Sequence, residues 1–408
     1  MSLVSRLAAR VLGRLVGSRE RMPRFVVRLM DDVAANPDGR AARLAARLLG
    51  GHGGRVPPPT VAPSTPIRVY IGPTNYAGQG YLWARALESS IDGVGARNMA
   101  IELPGGFSFA ADSLVPVDVH TASRAWQEAE LAAVLDYTHV LFEAERPLFG
   151  PVFDRDVQRE IDALDAAGIS SAFMCHGTDI RSPRRHLSED RFSPYADDPA
   201  TPRLQAVADA NHALLETAGL PVFVSTPDLL LDVPSATWCP VVVDVHSWSG
   251  ARPLFADRLP VVVHLPSMGP VKGTHLIEPT LRRMHDAGLI EYRGRSGIPS
   301  NEMPAVIGDA DIVLDQFRIG SYGVAAVEAM ASGRVVVGHV LPAVRALVAE
   351  LTGHELRSWR PTPTPSSRSF SASSLIEERW RRRGQMEQPS PQLCTPAPGA
   401  RAPSPTPG

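Results

Sequence analysis

Cysteine is scarce: three residues in 408, Cys175, Cys239 and Cys394. Their odd number and wide spacing exclude a disulfide scaffold and a thiolate metal site, and point to a reducing, cytoplasmic compartment. Long apolar runs are missing too. None approaches the roughly 18 residues that span a bilayer, and Arg6, Arg10 and Arg14 interrupt the N-terminal apolar residues. Neither a transmembrane helix nor a secretory leader is expected. Lysine is almost absent, with 40 Arg beside the single Lys272. The codon use of a high-GC bacterial gene accounts for that ratio, and under such a bias the one lysine is the first place to look for chemistry. What is present, 44% hydrophobic and 21% charged residues, buries real cores and excludes wholesale disorder. The length corresponds to about two or three domains at ~100–200 residues each.

The net charge of −2 conceals a polarised chain. Residues 1–55 hold 11 Arg against 4 acids, and residues 352–408 hold 8 against 4, which leaves 56–351 at −13. An acidic body of that kind is not a nucleic-acid binder, because neutralising phosphates needs a basic face.

The basic extension 1–55 repeats Leu3, Leu7, Val11 and Leu15 at helical spacing. It reads either as a helix docked on the body or as a peripheral contact with an anionic membrane, which would place the protein at its inner face. Residues 56–66 continue a Gly/Pro-rich linker. From Ile67 apolar strands alternate with amphipathic helices: strands at Ile67–Ile71, Ala100–Leu103, Val140–Phe142, Ser171–Met174 and Pro221–Ser225, with a helix at Val157–Ala167. A second series places strands at Val261–Leu265, Ile290–Arg293, Asp311–Leu314 and Val335–Gly338. Its helices fall at Thr274–Ala287, Ser300–Ile307 and Gly323–Ala331. Strands separated by crossover helices imply parallel sheets. The expected fold is therefore α/β, with two Rossmann-like doubly wound domains, 67–245 and 246–356, facing across a cleft. Ligands bind beyond the carboxyl ends of such strands, so the site belongs between the domains. After Leu356, 31 of 52 residues are Pro, Ser, Thr or Arg and apolar periodicity stops, so 357–408 is expected to be a disordered tail.

Lys272 stands between a strand ending at Leu265 and a helix opening near Thr274. In that context, with Gly273, a cation beside helix N–H groups suits a diphosphate; the plain alternative is a solvated lysine. Glu328 lies among Val327, Ala329 and Met330, after the glycine loop Gly320-Ser321-Tyr322-Gly323-Val324. Spacing alone leaves it either a solvated charge or an acceptor of hydroxyl hydrogen bonds. His176 follows a strand, and the Gly177 turn is expected to expose its imidazole at the cleft, although a lone histidine is more often structural. His264 reads equally as a strand-end histidine. Gly78 and Gly80 open a helix, but their spacing misses the dinucleotide fingerprint.

The order Gly297-Ile298-Pro299-Ser300-Asn301-Glu302-Met303-Pro304, Ala310-Asp311-Ile312-Val313-Leu314, Tyr322-Gly323 and Glu328-Ala329-Met330-Ala331-Ser332-Gly333 resembles nucleotide-sugar-dependent glycosyltransferases of the GT-B fold, in the retaining family 4 group. His176-Gly177-Thr178-Asp179 and Lys272-Gly273-Thr274 match further motifs, and the resemblance spans about 67–356. It implies transfer of a sugar from a nucleotide-sugar donor to an acceptor hydroxyl on a glycan, lipid or small molecule, with no metal and no cofactor beyond the donor. It further implies that Lys272, with Gly273 and Thr274, binds the diphosphate, that Ser321, Tyr322, Gly323 and Val324 offer backbone amides, and that Glu328 holds the ribose. Gly297 and Ile298 would flank the base, and His176 would face the transferred sugar. Three features depart from the family pattern. Gly320 stands where the family often has an acid. Ser267, Met268 and Gly269 replace an arginine-bearing turn, leaving Arg318 as the substitute charge. The closing strand and helix are missing after Leu356, so the second domain is incomplete, as a shifted reading frame in a high-GC gene would make it. The rival reading is a non-catalytic GT-B-like module that binds a nucleotide sugar or carbohydrate.

Overall fold

The computed structural model describes residues 56–103, 109–249, 252–256, 258–267 and 269–356. The extension 1–55 and the tail 357–408, with the membrane and disorder expectations placed on them, lie outside the described residues. Among the described residues no helix is long and apolar enough to cross a membrane.

The first domain runs β1 (Ile67–Gly72), α1 (Gln79–Ser90), β2 (Val94–Glu102), β3 (Ser113–Pro116), α2 (Val117–Ala122), α3 (Arg124–Val134), β4 (His139–Glu143), α4 (Val157–Ala166), β5 (Ser170–Cys175), α5 (Pro183–Glu189), α6 (Thr201–Ala218), β6 (Val222–Val224) and β7 (Thr237–Trp238). Its seven strands pair in parallel in the order β3-β2-β1-β4-β5-β6-β7. Apolar clusters cover both faces: Tyr70, Met99, Phe142 and Phe173 on one, Ile71, Ala96 and Met174 on the other. Local chemistry sets the helix ends. Asp156 starts α4 by accepting the amides of Gln158 and Arg159 at 3.0 and 3.3 Å, and Gly219 ends α6 at φ 60°.

The second domain runs β8 (Val261–His264), α7 (Gly269–Lys272), α8 (Thr274–Asp286), β9 (Glu291–Gly294), α9 (Met303–Gly308), β10 (Ile312–Leu314), α10 (Val324–Ala331), β11 (Val335–Val337) and α11 (Pro342–Thr352). Four parallel strands pair in the order β11-β10-β8-β9. Strand β8, Val-Val-Val-His, is buried at all four positions, as a central parallel strand must be. Val262 packs into one layer with Leu281, Leu314 and Val337, and Val261 and Val263 into the other with Val313 and Ala329. Each fully buried valine contributes roughly 1.5–3 kcal/mol, so an acid at Val263 would break this sheet.

Both sheets are thus doubly wound and Rossmann-like, as the alternation implies. In each, strand order reverses once, between β1 and β4 and between β8 and β10. The carboxyl edges of the two sheets meet. His186 on α5 donates from Nε2 to the Ile319 carbonyl at 2.9 Å, and its Nδ1 lies 2.8 Å from Ser193 Oγ. His339 Nε2 lies 2.9 Å from Asp190 Oδ2. Leu231 of the first domain packs against the cluster of Val340, Leu341 and Val344, as does Tyr322.

Several elements differ from the sequence reading. Strand β2 begins at Val94 rather than Ala100, because the buried Asn98 is accommodated inside it: its side chain donates to the Ile71 carbonyl and its amide to Asp112. Edge strands β3 and β7 went unread, being four and two residues long. Segment 56–66 has no helix or strand, yet it is strapped down. The Thr60 amide and hydroxyl donate to the buried Glu130 carboxylate at 2.8 and 2.7 Å, which also accepts from Tyr70.

Candidate functional site

The reversal of strand order in the second sheet opens the carboxyl edge between β8 and β10. Here the chain brings together most of the residues singled out above. Lys272 ends α7, a helical turn rather than the open loop expected, and its Nζ lies 2.9 Å from Asp315 Oδ1. Gly273, at φ +78°, separates α7 from α8. Asp315 follows β10 directly. Its second oxygen accepts the Gly323 amide at 3.0 Å, at the N-terminus of α10. A buried carboxylate therefore links the only lysine to the helix terminus that the sequence reading assigned to phosphate. Of the four amides in 321–324 expected to face a ligand, that of Gly323 is engaged by the protein itself.

Glu328 lies on the same helix, half-buried. It is not the outward, solvated charge that spacing left open. Burial pushes its carboxyl up to about 7, against the attraction of Lys272, while the Asp315 charge adds to the rise. Thr274 points inward: His264 is buried, donates from Nδ1 to the Leu314 carbonyl at 2.9 Å, and accepts the Thr274 hydroxyl at Nε2, 2.8 Å away. Burial lowers the pKa of His264 and keeps it neutral, so it ties β8, β10 and α8 together. Tyr322 packs in the apolar cluster between the domains, and the Ser321 carbonyl accepts from Gln316 Nε2. Val324 opens α10. Gly297 and Ile298 follow β9 one strand over on the same edge, Gly297 exposed at φ +70° and Ile298 half-buried.

His176 belongs to the carboxyl edge of the first sheet, after β5, and is not the open imidazole expected. Its side chain is 8% exposed and its Nε2 lies 3.2 Å from Glu143 Oε1. Tyr76 meets it edge-on at 5.1 Å and Trp83 lies tilted at 5.6 Å. The reason is the glycine-bearing loop 72–80, which folds over the end of β4. Glu143 Oε2 accepts the amides of Thr74 and Asn75 at 3.1 and 3.0 Å. Gly80 permits this closeness, since a Cβ there would stand 2.5 Å from Asn98 Nδ2 and 3.1 Å from Glu143 Oε2. Beneath His176, Asp179 accepts the amides of His176 and Gly177. Glu145, Cys175 and Asp179 place donor atoms within 4.8 Å of one another. Burial, then the Asp179 charge, raises the Glu145 pKa well above the ordinary carboxylate range. The Asn211 side-chain amide points a hydrogen at Glu145 from 3.3 Å.

Arg318 does not replace the missing cation. It is 6% exposed and donates to the Phe192 and Ser193 carbonyls at 2.9 and 2.8 Å, to Asp197 at 2.8 Å and to the Pro270 carbonyl at 3.3 Å. Its charge fastens the second domain to the first. Gly320 sits at φ +71°, and a Cβ there would lie 2.6 Å from Leu341 Cγ and 3.3 Å from Asp190 Oδ2. The fold itself holds this position to glycine.

No protein-family model matches the chain, and no curated protein matches it in sequence. Among solved structures it is similar to Anabaena HepE in complex with UDP and glucose, at 12% identity over 72% of this chain and 85% of that one, with a TM-score of 0.40. It is similar to sucrose-phosphate synthase from Thermosynechococcus elongatus, at 12% identity over 66% and 80%, TM-score 0.37. It is also similar to the catalytic domain of starch synthase IV from Arabidopsis thaliana bound to ADP and acarbose, at 11% identity over 66% and 82%, TM-score 0.36. At these scores the likenesses carry no argument of their own. The architecture stands on the strand pairing described above.

Proposed function

We propose that the protein is a glycosyltransferase that breaks the glycosyl–phosphate bond of a nucleotide-sugar donor and passes the sugar to an acceptor hydroxyl, with retention of configuration. The observation that carries the reading is the convergence of Lys272 and the N-terminus of α10 at the strand-order reversal between β8 and β10, with Glu328 half-buried on the same helix. A departing diphosphate gains negative charge, and a fixed cation beside helix amides stabilises that charge more in the transition state than before it. In this proposal Lys272, Gly273 and Thr274 hold the diphosphate from one side and Ser321 to Val324 from the other. Glu328 accepts ribose hydroxyls, Gly297 and Ile298 flank the base, and His176, braced by Glu143, faces the sugar. A thermal-shift panel of nucleoside diphosphate sugars tests it, because a ligand of the native state raises its melting temperature. A panel without a single shift would refute the donor site.

The second reading, a binding module without catalysis, draws support from two observations: Gly320 leaves no acid at its position, and Lys272 is already paired with Asp315. Hydrolysis of a nucleotide sugar in the absence of acceptor separates the two. The family 4 assignment and the shifted frame after Leu356 belong to the same proposal, and resequencing through that codon decides the frame. So does a peripheral membrane contact through residues 1–55. In that case anionic vesicles should sediment the protein and neutral ones should not, with moderate salt releasing it.

A further inference from the structure

The proposed function seats a phosphate where the free protein already holds a carboxylate. Asp315 is 3% exposed, and both of its oxygens are committed, one to the Lys272 ammonium and one to the Gly323 amide. We infer that Asp315 is a built-in competitor for the donor diphosphate, which binds only by displacing this carboxylate from Lys272 and from the first amide of α10. The inference rests on the donor-site reading above and concerns the specificity of that same site.

The Gly323 amide has one hydrogen, and Asp315 takes it at 3.0 Å, so a phosphate oxygen cannot share it without moving the carboxylate. A second anion brought beside Asp315 in so buried a place meets a like charge that water screens poorly. The ammonium of Lys272 has three hydrogens and can turn to a new partner, whereas the backbone of Asp315, the residue after β10, is held by the strand, so only its carboxylate can swing aside. Its own amide donates to the Val337 carbonyl at 3.0 Å. The consequence is selectivity. A lone orthophosphate offers too little to displace the carboxylate, while two linked phosphates can engage Lys272 and further amides of the α10 terminus together. The free site stays closed to stray anions and keeps Lys272 oriented for the ligand that does displace Asp315.

The test compares wild type with Asp315→Asn by calorimetric titration, using inorganic pyrophosphate and orthophosphate as probes. The amide keeps the shape and removes the competing charge. Pyrophosphate should bind the variant about tenfold or more tightly, as expected when a charged hydrogen-bonding competitor is lost. Orthophosphate, too weak to measure in wild type, should become measurable. Were Asp315 only a brace for Lys272 and Gly323, the variant would bind pyrophosphate equally or more weakly, and the inference would be overturned. Should the variant fail to fold, wild type labelled with 15N-glycine serves instead: the Gly323 amide resonance must move on saturation with pyrophosphate, and an unmoved resonance overturns the inference equally. If neither pyrophosphate nor any nucleoside diphosphate binds either protein, the donor-site reading itself has failed. Binding with the wrong order of affinities leaves that reading standing and removes only the role given to Asp315.

Discussion

On the proposed function, Glu328 couples proton binding to both stability and ligand binding, and the two consequences have opposite signs. Its carboxyl titrates near pH 7 in the folded protein against an ordinary value of 4.5. Because the folded value is raised, the stabilisation it reflects is complete below about pH 4.5 and is lost as pH rises through about 7. A shift of that size corresponds to about 3 kcal/mol at most, and since the side chain is only half-buried about 1–3 kcal/mol is the working figure. Glu328→Gln keeps the neutral shape and removes the titration. Wild type and variant should therefore be equally stable near pH 4, with wild type weaker by that amount at pH 8.5, read as urea midpoints. Donor binding should go the other way, since the carboxylate accepts two ribose hydroxyls and binds them more strongly than the protonated acid does. With a pKa near 7, the ionised fraction rises from about a tenth at pH 6 to about nine-tenths at pH 8, so apparent affinity should rise about ninefold. Comparing a nucleoside diphosphate with its 2′,3′-dideoxy analogue cancels the titration of the phosphate itself. Stability curves of wild type and Glu328→Gln that run parallel from pH 5 to 8.5 would refute the burial argument. A ratio of the two affinities that does not change with pH would refute the ribose contact.

Lys272→Ala should lower turnover on the order of 100-fold and also cost about 1–3 kcal/mol of stability, because it leaves the buried Asp315 without its cation; steady-state rates and denaturation midpoints measure the two. Gly320→Ala forces a left-handed side chain and overpacks Leu341, whose amide is pinned to the Gly320 carbonyl at 2.8 Å. The expected loss is about 2–5 kcal/mol, and an unchanged midpoint would contradict the contact. Arg318→Met removes the bonds from Arg318 to the first domain's Phe192 and Ser193 carbonyls and Asp197, so the domains should separate more readily. Limited proteolysis near 190–200 and small-angle scattering should both report the change.

The core of each domain was readable because its signal is unambiguous. Val261 to Val263 form an apolar run too short for a helix, and the glycines flanking 320–333 bracket one helix. Interior strands came within a residue or two, apart from β2. What went unread depends on partners distant in sequence. Asn98 sits in a strand because the Ile71 carbonyl accepts its side-chain NH2 and Asp112 its backbone amide, and β3 and β7 exist only as additions to an edge already built. At the site, Lys272 and Glu328 stood out by rarity and by context. Asp315 did not, since an acid after a strand is ordinary until β8 and α10 are folded around it. Glu143 was invisible for the same reason: its partners Thr74 and Asn75 lie 69 and 68 residues away. Arg318 was misread because a sequence shows a charge but not which domain faces it.

A chain with a single lysine has one bond open to a protease that cuts after lysine, Lys272–Gly273. That bond lies between α7 and α8, where the Lys272 carbonyl accepts the Phe317 amide at 2.9 Å and Gly273 holds a left-handed turn. A protease must draw several residues into an extended strand, so cleavage requires this corner of the second domain to open. The cut also divides the second sheet unequally, leaving β8 with the intact first domain and releasing β9, β10 and β11 as the other piece. The rate of that single cut thus reads local opening at the lysine directly, without a label and without knowledge of the substrate.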